Sequence, residues 1–188
     1  MSNKEAARCR LQIIPEASGR VLEIGIGSGL NLPFYTSQVV SVCGLDPSRE
    51  LLQMARKEAG SVAFPVELLK GSAEELPLES DTIDTIVMTW TLCSIPDASK
   101  ALSEMRRVLK PGGELLFVEH GLAREAKVRA WQNRINRPWR AVSGGCNLNR
   151  EVDRLIASAG LAIRCLDTIY LRGPRMFTFT YQGCARKQ

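Results

Sequence analysis

Three glycines in five residues, Gly25, Gly27 and Gly29, follow the apolar run Val21, Leu22 and Ile24. A glycine-rich turn after a strand lets a ligand approach the backbone, and the N–H groups of a following helix would point at it. Glu23 stands two residues before the first glycine, and Ser28 lies between the second and third. A second apolar run, 39–45, ends in Asp46-Pro47. Asp46 lies 21 residues after Gly25, close to the spacing of about 20 at which an acid ending a second strand hydrogen-bonds ribose hydroxyls. The constellation implies an adenosine-bearing cofactor. The dinucleotide pattern Gly-x-Gly-x-x-Gly would need glycine at position 30, where Leu30 stands. An acid beside a pyrophosphate is a liability. Beside the amino-acid end and sulfonium of S-adenosyl-L-methionine, Glu23 is useful directly or through water.

Other chemistries are bounded by counts. The one histidine, His120, has no Gly-x-Ser-x-Gly elbow for company, which argues against a Ser/His/Asp hydrolase. Six cysteines, at 9, 43, 93, 146, 165 and 184, include no C-x-x-C pair. No metal site is expected from them. With a polar stretch over 1–10 and no secretion signal, six reduced thiols imply a cytoplasmic protein. No apolar run approaches the roughly 20 residues of a transmembrane helix.

The elements that must position these residues follow from periodicity. Strands are expected at 21–24, 39–45, 62–69, 83–88, 115–118, 162–170 and 176–181. Helices are expected over Glu50–Ala59, Ser99–Lys110 and Asn149–Ala159. In the first of these, Leu51, Leu52, Met54 and Ala55 supply the inner face, Ser48 is the N-cap and Gly60 the stop. Ser99 caps the second, and Lys110-Pro111-Gly112-Gly113 ends it. Strands alternating with helices give a parallel α/β sheet, and two successive strands at the end make one strand antiparallel. At 188 residues the chain fits one domain, 1–188. An insertion after the fifth strand, 122–148, is its one irregularity.

Four segments carry a resemblance. VLEIGIGSG, LDPS, GSAEELPLESDTIDTIV and MRRVLKPGGELLFVEH occur in that order and resemble the motifs of class I S-adenosylmethionine-dependent methyltransferases. The resemblance implies a Rossmann-like α/β fold with a seven-stranded, mostly parallel sheet. It places Gly25, Gly27, Ser28 and Gly29 around the methionine end, Asp46 and Pro47 at the ribose, and Ser72, Ala73 and Glu74 near adenine. Many relatives carry aspartate where Ser72 stands. After the fourth strand, TLCSIPDASKALSEMRRVLKPGG, WQNRINRPWR and GGCNLNRE resemble the alkyl thiol S-methyltransferases. That family's animal members carry an N-terminal hydrophobic anchor which this chain lacks, so a soluble form is implied.

A small-molecule thiol acceptor follows from the same resemblance. C-, N- or O-methylation of a small apolar metabolite remains an alternative, as does a non-catalytic cofactor-binding partner or regulator. Ligands sit at the C-terminal strand ends of open α/β sheets, so the loops after the fourth and fifth strands should frame the methyl group. Thr89 and Trp90 fall there on the cofactor side, with Trp90 either a pocket wall or core packing. His120 is either the base that raises the thiolate fraction or a hydrogen bond that holds the insertion. Cys93 and Cys146 are substrate-side candidates that also read as small buried side chains.

The net charge of +5 is uneven. Residues 121–150 hold seven basic residues and one acid, a local +6, which leaves −1 on the rest. Val128, Trp131, Ile135 and Trp139 recur at helical spacing there. They suit a lid over the site, a packing helix, or a peripheral membrane contact. Trp131 and Trp139 would line the acceptor pocket, with Arg140 and Arg150 at its mouth to hold an anionic substrate or raise the thiolate population. Nucleic acid is not expected. The fourth-strand loop lacks an Asn-Pro-Pro-Tyr-like stacking motif, and apolar anchors interrupt the basic patch. Sequence leaves the oligomeric state open.

Overall fold

The computed structural model describes residues 3–188. Its first helix, α1 (Asn3–Ile13), leads to β1 (Gly19–Ile24). Next come β2 (Val39–Asp46), α2 (Arg49–Ala59), β3 (Val66–Lys70) and β4 (Ile83–Thr89). Helix α3 (Ala98–Val108) runs directly into β5 (Leu109–His120), and α4 (Ala126–Val142) and α5 (Val152–Ser158) follow. The chain closes with β6 (Leu161–Tyr170), the single turn α6 (Arg175–Thr178) and β7 (Phe179–Lys187). The strands form one sheet in the order β3-β2-β1-β4-β5-β7-β6. All pairings are parallel except those of β7 with β5 and β6.

The two sheet faces bury different sets, as the period of two requires. Leu22, Ile24, Ile86, Met88, Leu115 and Phe117 pack against α3 and α5 through Leu102, Met105 and Ile156. Val21, Val42, Val87 and Leu116 pack on the opposite side with Ile14, Leu32 and Leu52. The alternation along β5 continues to its end. Glu119 falls on the face of Phe117, and His120 on the face of Val118.

Several boundaries differ from the sequence reading, each for a local reason. Strand β3 starts at Val66 because Pro65 has no N–H to pair, although its carbonyl still accepts from Val42 (2.9 Å). Asp97 caps α3 in place of Ser99, accepting the Lys100 N–H at 2.9 Å. The Lys110–Gly113 turn belongs to β5, where the register with β4 shifts. Residues 149–151 stay outside α5. Met176–Thr178 is helical rather than extended, and β7 runs on to Lys187 between two partners. On α2 the inner face is Leu52 and Ala55, while Leu51 and Met54 face outward. Helix α1 had no expected counterpart.

The largest difference follows β1. No α-helix begins after the glycines. Gly25, Gly27 and Gly29 all take positive φ, and the chain then makes only a three-residue 3-10 turn, Leu32–Phe34, with Pro33 inside. No α-helical N-terminus, the usual cradle of a pyrophosphate, therefore points into this turn.

Candidate functional site

A cleft of about 460 Å³ opens at the C-terminal ends of β1, β2 and β4. Gly25, Gly27, Asp46, Pro47, Ala73, Thr89 and Trp90 line it. So do Leu51, Thr91, Ser94, Ile95, Pro96 and Gly144. Gly25 sits at φ +67, and a Cβ there would lie 2.4 Å from the Thr91 side chain. Glycine is thus required twice over, for its backbone conformation and for the close approach of the β4 loop.

Asp46 knits two turns together. One oxygen accepts the Ser48 N–H at 2.8 Å and the other the Gly27 N–H at 3.0 Å. A carboxylate has about four acceptor positions, so each oxygen keeps one for a ligand hydroxyl. The neighbouring walls are apolar at Leu45 and Ile95 and small at Ala73. A diol-binding carboxylate, a flat apolar slot and an open glycine turn fit the ribose, adenine and amino-acid ends of S-adenosylmethionine.

Glu23 does not line the cleft. It is 1% exposed, and its oxygens accept from Asn31 Nδ2 (2.9 Å) and the Tyr35 hydroxyl (2.7 Å). Asn31 also donates to Thr89 Oγ1 (3.0 Å) and accepts from Arg10 Nε (2.8 Å). Burial raises the Glu23 carboxyl to about 7, against the two hydrogen bonds and the Arg10 charge. The acid thus reaches the cleft only through Asn31 and the lining residue Thr89. Ser28, Gly29, Ser72 and Glu74 also stand outside the cleft wall. Glu74 instead accepts the Asp97 N–H (2.6 Å) and the Ser72 hydroxyl (2.9 Å), tying two loops beneath the site.

Trp90 begins the loop after β4. It adopts φ +52, a conformation rare outside glycine, and its N–H donates to the Val118 carbonyl at 2.7 Å. Arg10 lies 5.1 Å from its ring centroid and His120 6.4 Å. His120 packs against Trp90 and is not among the residues that line the cleft. Burial lowers its pKa, opposed by a backbone hydrogen bond at Phe179, so the ring is neutral at pH 7.

The substrate-side candidates are placed away from this cleft. None of Cys93, Trp131, Trp139, Arg140, Cys146 and Arg150 lines the cleft. Trp131 is 54% exposed, under Arg134. The inward row of α4 runs through Gln132 instead, which is 1% exposed. Its carboxamide accepts the Ala123 N–H (2.8 Å) and donates to the Gly121 and Met176 carbonyls (3.0 and 3.2 Å). Trp139 stacks on Phe177 at 4.4 Å, and Arg140 is exposed. Arg150 donates to the carbonyls of Leu92, Ile95 (2.6 Å) and Pro96 (3.3 Å), so it holds the cleft wall rather than an anion. Glu119 grips the other side of that loop. Its Oε1 accepts the N–H groups of Thr91 (2.7 Å) and Leu92 (2.9 Å), while Oε2 is buried without a partner. Desolvation raises this carboxyl to about 8. In sequence Glu119 was visible only as the end of a strand. Gly144 was visible only as the start of the GGCNLNRE segment, because its place in the cleft depends on how α4 folds back.

Residues 22–117 match the methyltransferase-domain family. The chain belongs to the class I S-adenosylmethionine-dependent methyltransferases. It is 41% identical over 104 residues to a phosphatidylethanolamine N-methyltransferase of Cereibacter sphaeroides, covering 54% of this chain and 51% of that protein. It is 31% identical over 156 residues to the thiol S-methyltransferase TMT1B of Homo sapiens, covering 80% of this chain and 64% of that protein. The chain thus spans between about half and two-thirds of these relatives' length. The crystal structure of YcgJ from Bacillus subtilis superposes with a TM-score of 0.77 at 19% identity, over 100% of this chain and 99% of that one. The methyltransferase fold, with its single antiparallel strand, is the one the motifs implied. Among the described residues no helix is long and apolar enough to cross a membrane.

Proposed function

We propose that the chain, read as one domain over 1–188, transfers the methyl group of S-adenosylmethionine to a small-molecule thiol. One observation carries this reading: Gly144, from the segment beyond β5, lines the same cleft as Gly25 and Asp46. The segment that closes over the cofactor is therefore the one that meets an acceptor. The match to a thiol S-methyltransferase extends over 80% of the chain, whereas the N-methyltransferase match covers 54%. S-adenosylmethionine supplies an electrophilic methyl group on its sulfonium. The chain's part is to bind, orient and exclude water. Asp46 and the glycine turn fix the cofactor end, Glu119 and Arg150 set the β4 loop, and the 144–147 segment covers the approach. Positioning of this kind supplies much of the acceleration in a displacement. His120, behind the cleft residue Trp90, is the candidate proton acceptor. Six free cysteines suit a reducing, cytoplasmic setting.

The test is S-adenosylhomocysteine release with a panel of thiols, phenols and amines. Turnover with thiols above the other classes supports the reading. Turnover confined to amines, phenols or carbon acceptors overturns the thiol assignment, and binding without release for any acceptor overturns the enzyme.

A further inference from the structure

The loop after β4 and the segment after α4 meet at two cysteines. Asn147 donates to the Cys93 carbonyl through both its backbone N–H (2.8 Å) and its Nδ2 (2.9 Å). Asn136 reaches the same segment, accepting the Leu148 N–H at 2.8 Å. These bonds set Cys146 beside Cys93, and each thiol is the largest influence on the other's ionisation. The Cys93 sulfur also lies 3.7 Å from the Trp90 carbonyl oxygen and 3.6 Å from Ser94 Oγ. Both are free, and Cys146 is the shallower, 9% exposed against 2%.

The two sulfurs are chemically unequal. Cys93 is the main influence lowering the pKa of the Cys146 thiol, and the Trp139 indole and the Arg150 charge add to it against the cost of burial. Cys93 is pushed upward by Cys146, by burial and by the charge of Glu119. Cys146 is thus the more acidic of the pair, and its thiolate is the form that attacks peroxides, with a second thiol beside it. Elsewhere burial pushes Cys43 up to about 11 and Cys184 up to about 12.

We propose that Cys93 and Cys146 are a reversible oxidation site whose disulfide fastens the 144–147 segment to the wall of the cofactor cleft. The co-reactant is a hydroperoxide. The Cys146 thiolate attacks its terminal oxygen, the O–O bond breaks, and the alkoxide or hydroxide leaves with a proton from solvent. The sulfenic acid formed on Cys146 is then displaced by the Cys93 sulfur, whose proton leaves with the hydroxyl as water. Overall two thiols are oxidised to one disulfide, and the hydroperoxide is reduced to an alcohol and water. The mechanical consequence follows from position. Cys93 adjoins Ser94, and Cys146 lies two residues after Gly144, and both of those neighbours line the cleft. In the reduced protein non-covalent contacts hold these walls together. A disulfide there slows ligand entry and release together.

The experiment uses the full chain, reduced and then treated with equimolar hydrogen peroxide. Non-reducing peptide mapping is expected to give a 93–146 cross-linked peptide lighter by two hydrogen atoms, absent in Cys93→Ser and Cys146→Ser and retained in Cys165→Ser. Stopped-flow release of S-adenosylhomocysteine from the oxidised wild type is expected to slow several-fold and to recover with dithiothreitol. The mapping in wild type needs no variant to fold. A link confined to Cys165 and Cys184, or Cys146 oxidised to sulfinic acid without a link, overturns the proposal. So does a 93–146 link that leaves release unchanged.

Discussion

The glycine turn after β1 and the segment 121–150 solve the same problem in opposite ways. In the turn, function falls to backbone. Gly25 and Gly27 leave room, and a single carboxylate, Asp46, ties the turn to β2. In the 121–150 segment, function falls to side chains that grip backbone. Gln132, Asn147 and Arg150 spend their polar atoms on carbonyls and N–H groups of neighbouring loops. A residue type that resembles a ligand-binding group in sequence is, in the second region, a clamp.

The contrast is broken most severely at Gly25. Gly25→Val puts a branched side chain at φ +67 and against Thr91. Conformational strain and overlap together are expected to weaken S-adenosylhomocysteine binding by on the order of 100-fold, read by calorimetry. Arg150→Ala comes next. It leaves the loop carbonyls of Leu92, Ile95 and Pro96 without their charged donor. We expect a loss of about 2 kcal/mol in denaturant unfolding, with the Michaelis constant for S-adenosylmethionine raised more than turnover is lowered.

Glu119→Gln acts through pH. Burial holds the Glu119 carboxyl at about 8 against an ordinary 4.5, so the folded state keeps a proton that the unfolded state has lost. Its stabilising contribution is full below about 4.5 and declines as pH rises through about 8. The variant is expected to show a flatter fall in melting temperature across that window than wild type. An unchanged slope would mean the carboxyl is ionised in the fold. The smallest effect is expected at Trp131. Trp131→Ala removes an outward-facing ring, so stability should shift by no more than about 0.5 kcal/mol and turnover should hold. A large loss of turnover would return Trp131 to the acceptor pocket.

The same contrast explains what was legible. The sheet and its antiparallel strand could be read because the alternation of strands and helices is written in local periodicity, and the cleft glycines and Asp46 stood out by type and by their 21-residue spacing. Trp131 was misplaced because four-residue spacing fits two neighbouring faces of α4, and only the partners of Gln132 choose between them. Arg150 was given an anion because its acceptors lie 54 to 58 residues away in the chain. His120 and Glu119, adjacent in sequence, part to opposite faces of β5, which the period of two predicts but which the motif conceals. The absence of a helix after Gly29 was foreshadowed only by Pro33.

The central claim is that the cleft between the glycine turn and Asp46 is the cofactor site. Calorimetric titration of S-adenosylhomocysteine into wild type and Asp46→Ala tests it most directly. The account predicts one equivalent bound by wild type and a loss of most of that affinity in the variant, with both proteins folded by circular dichroism. No binding by folded wild type, or equal affinity in the two, would contradict it.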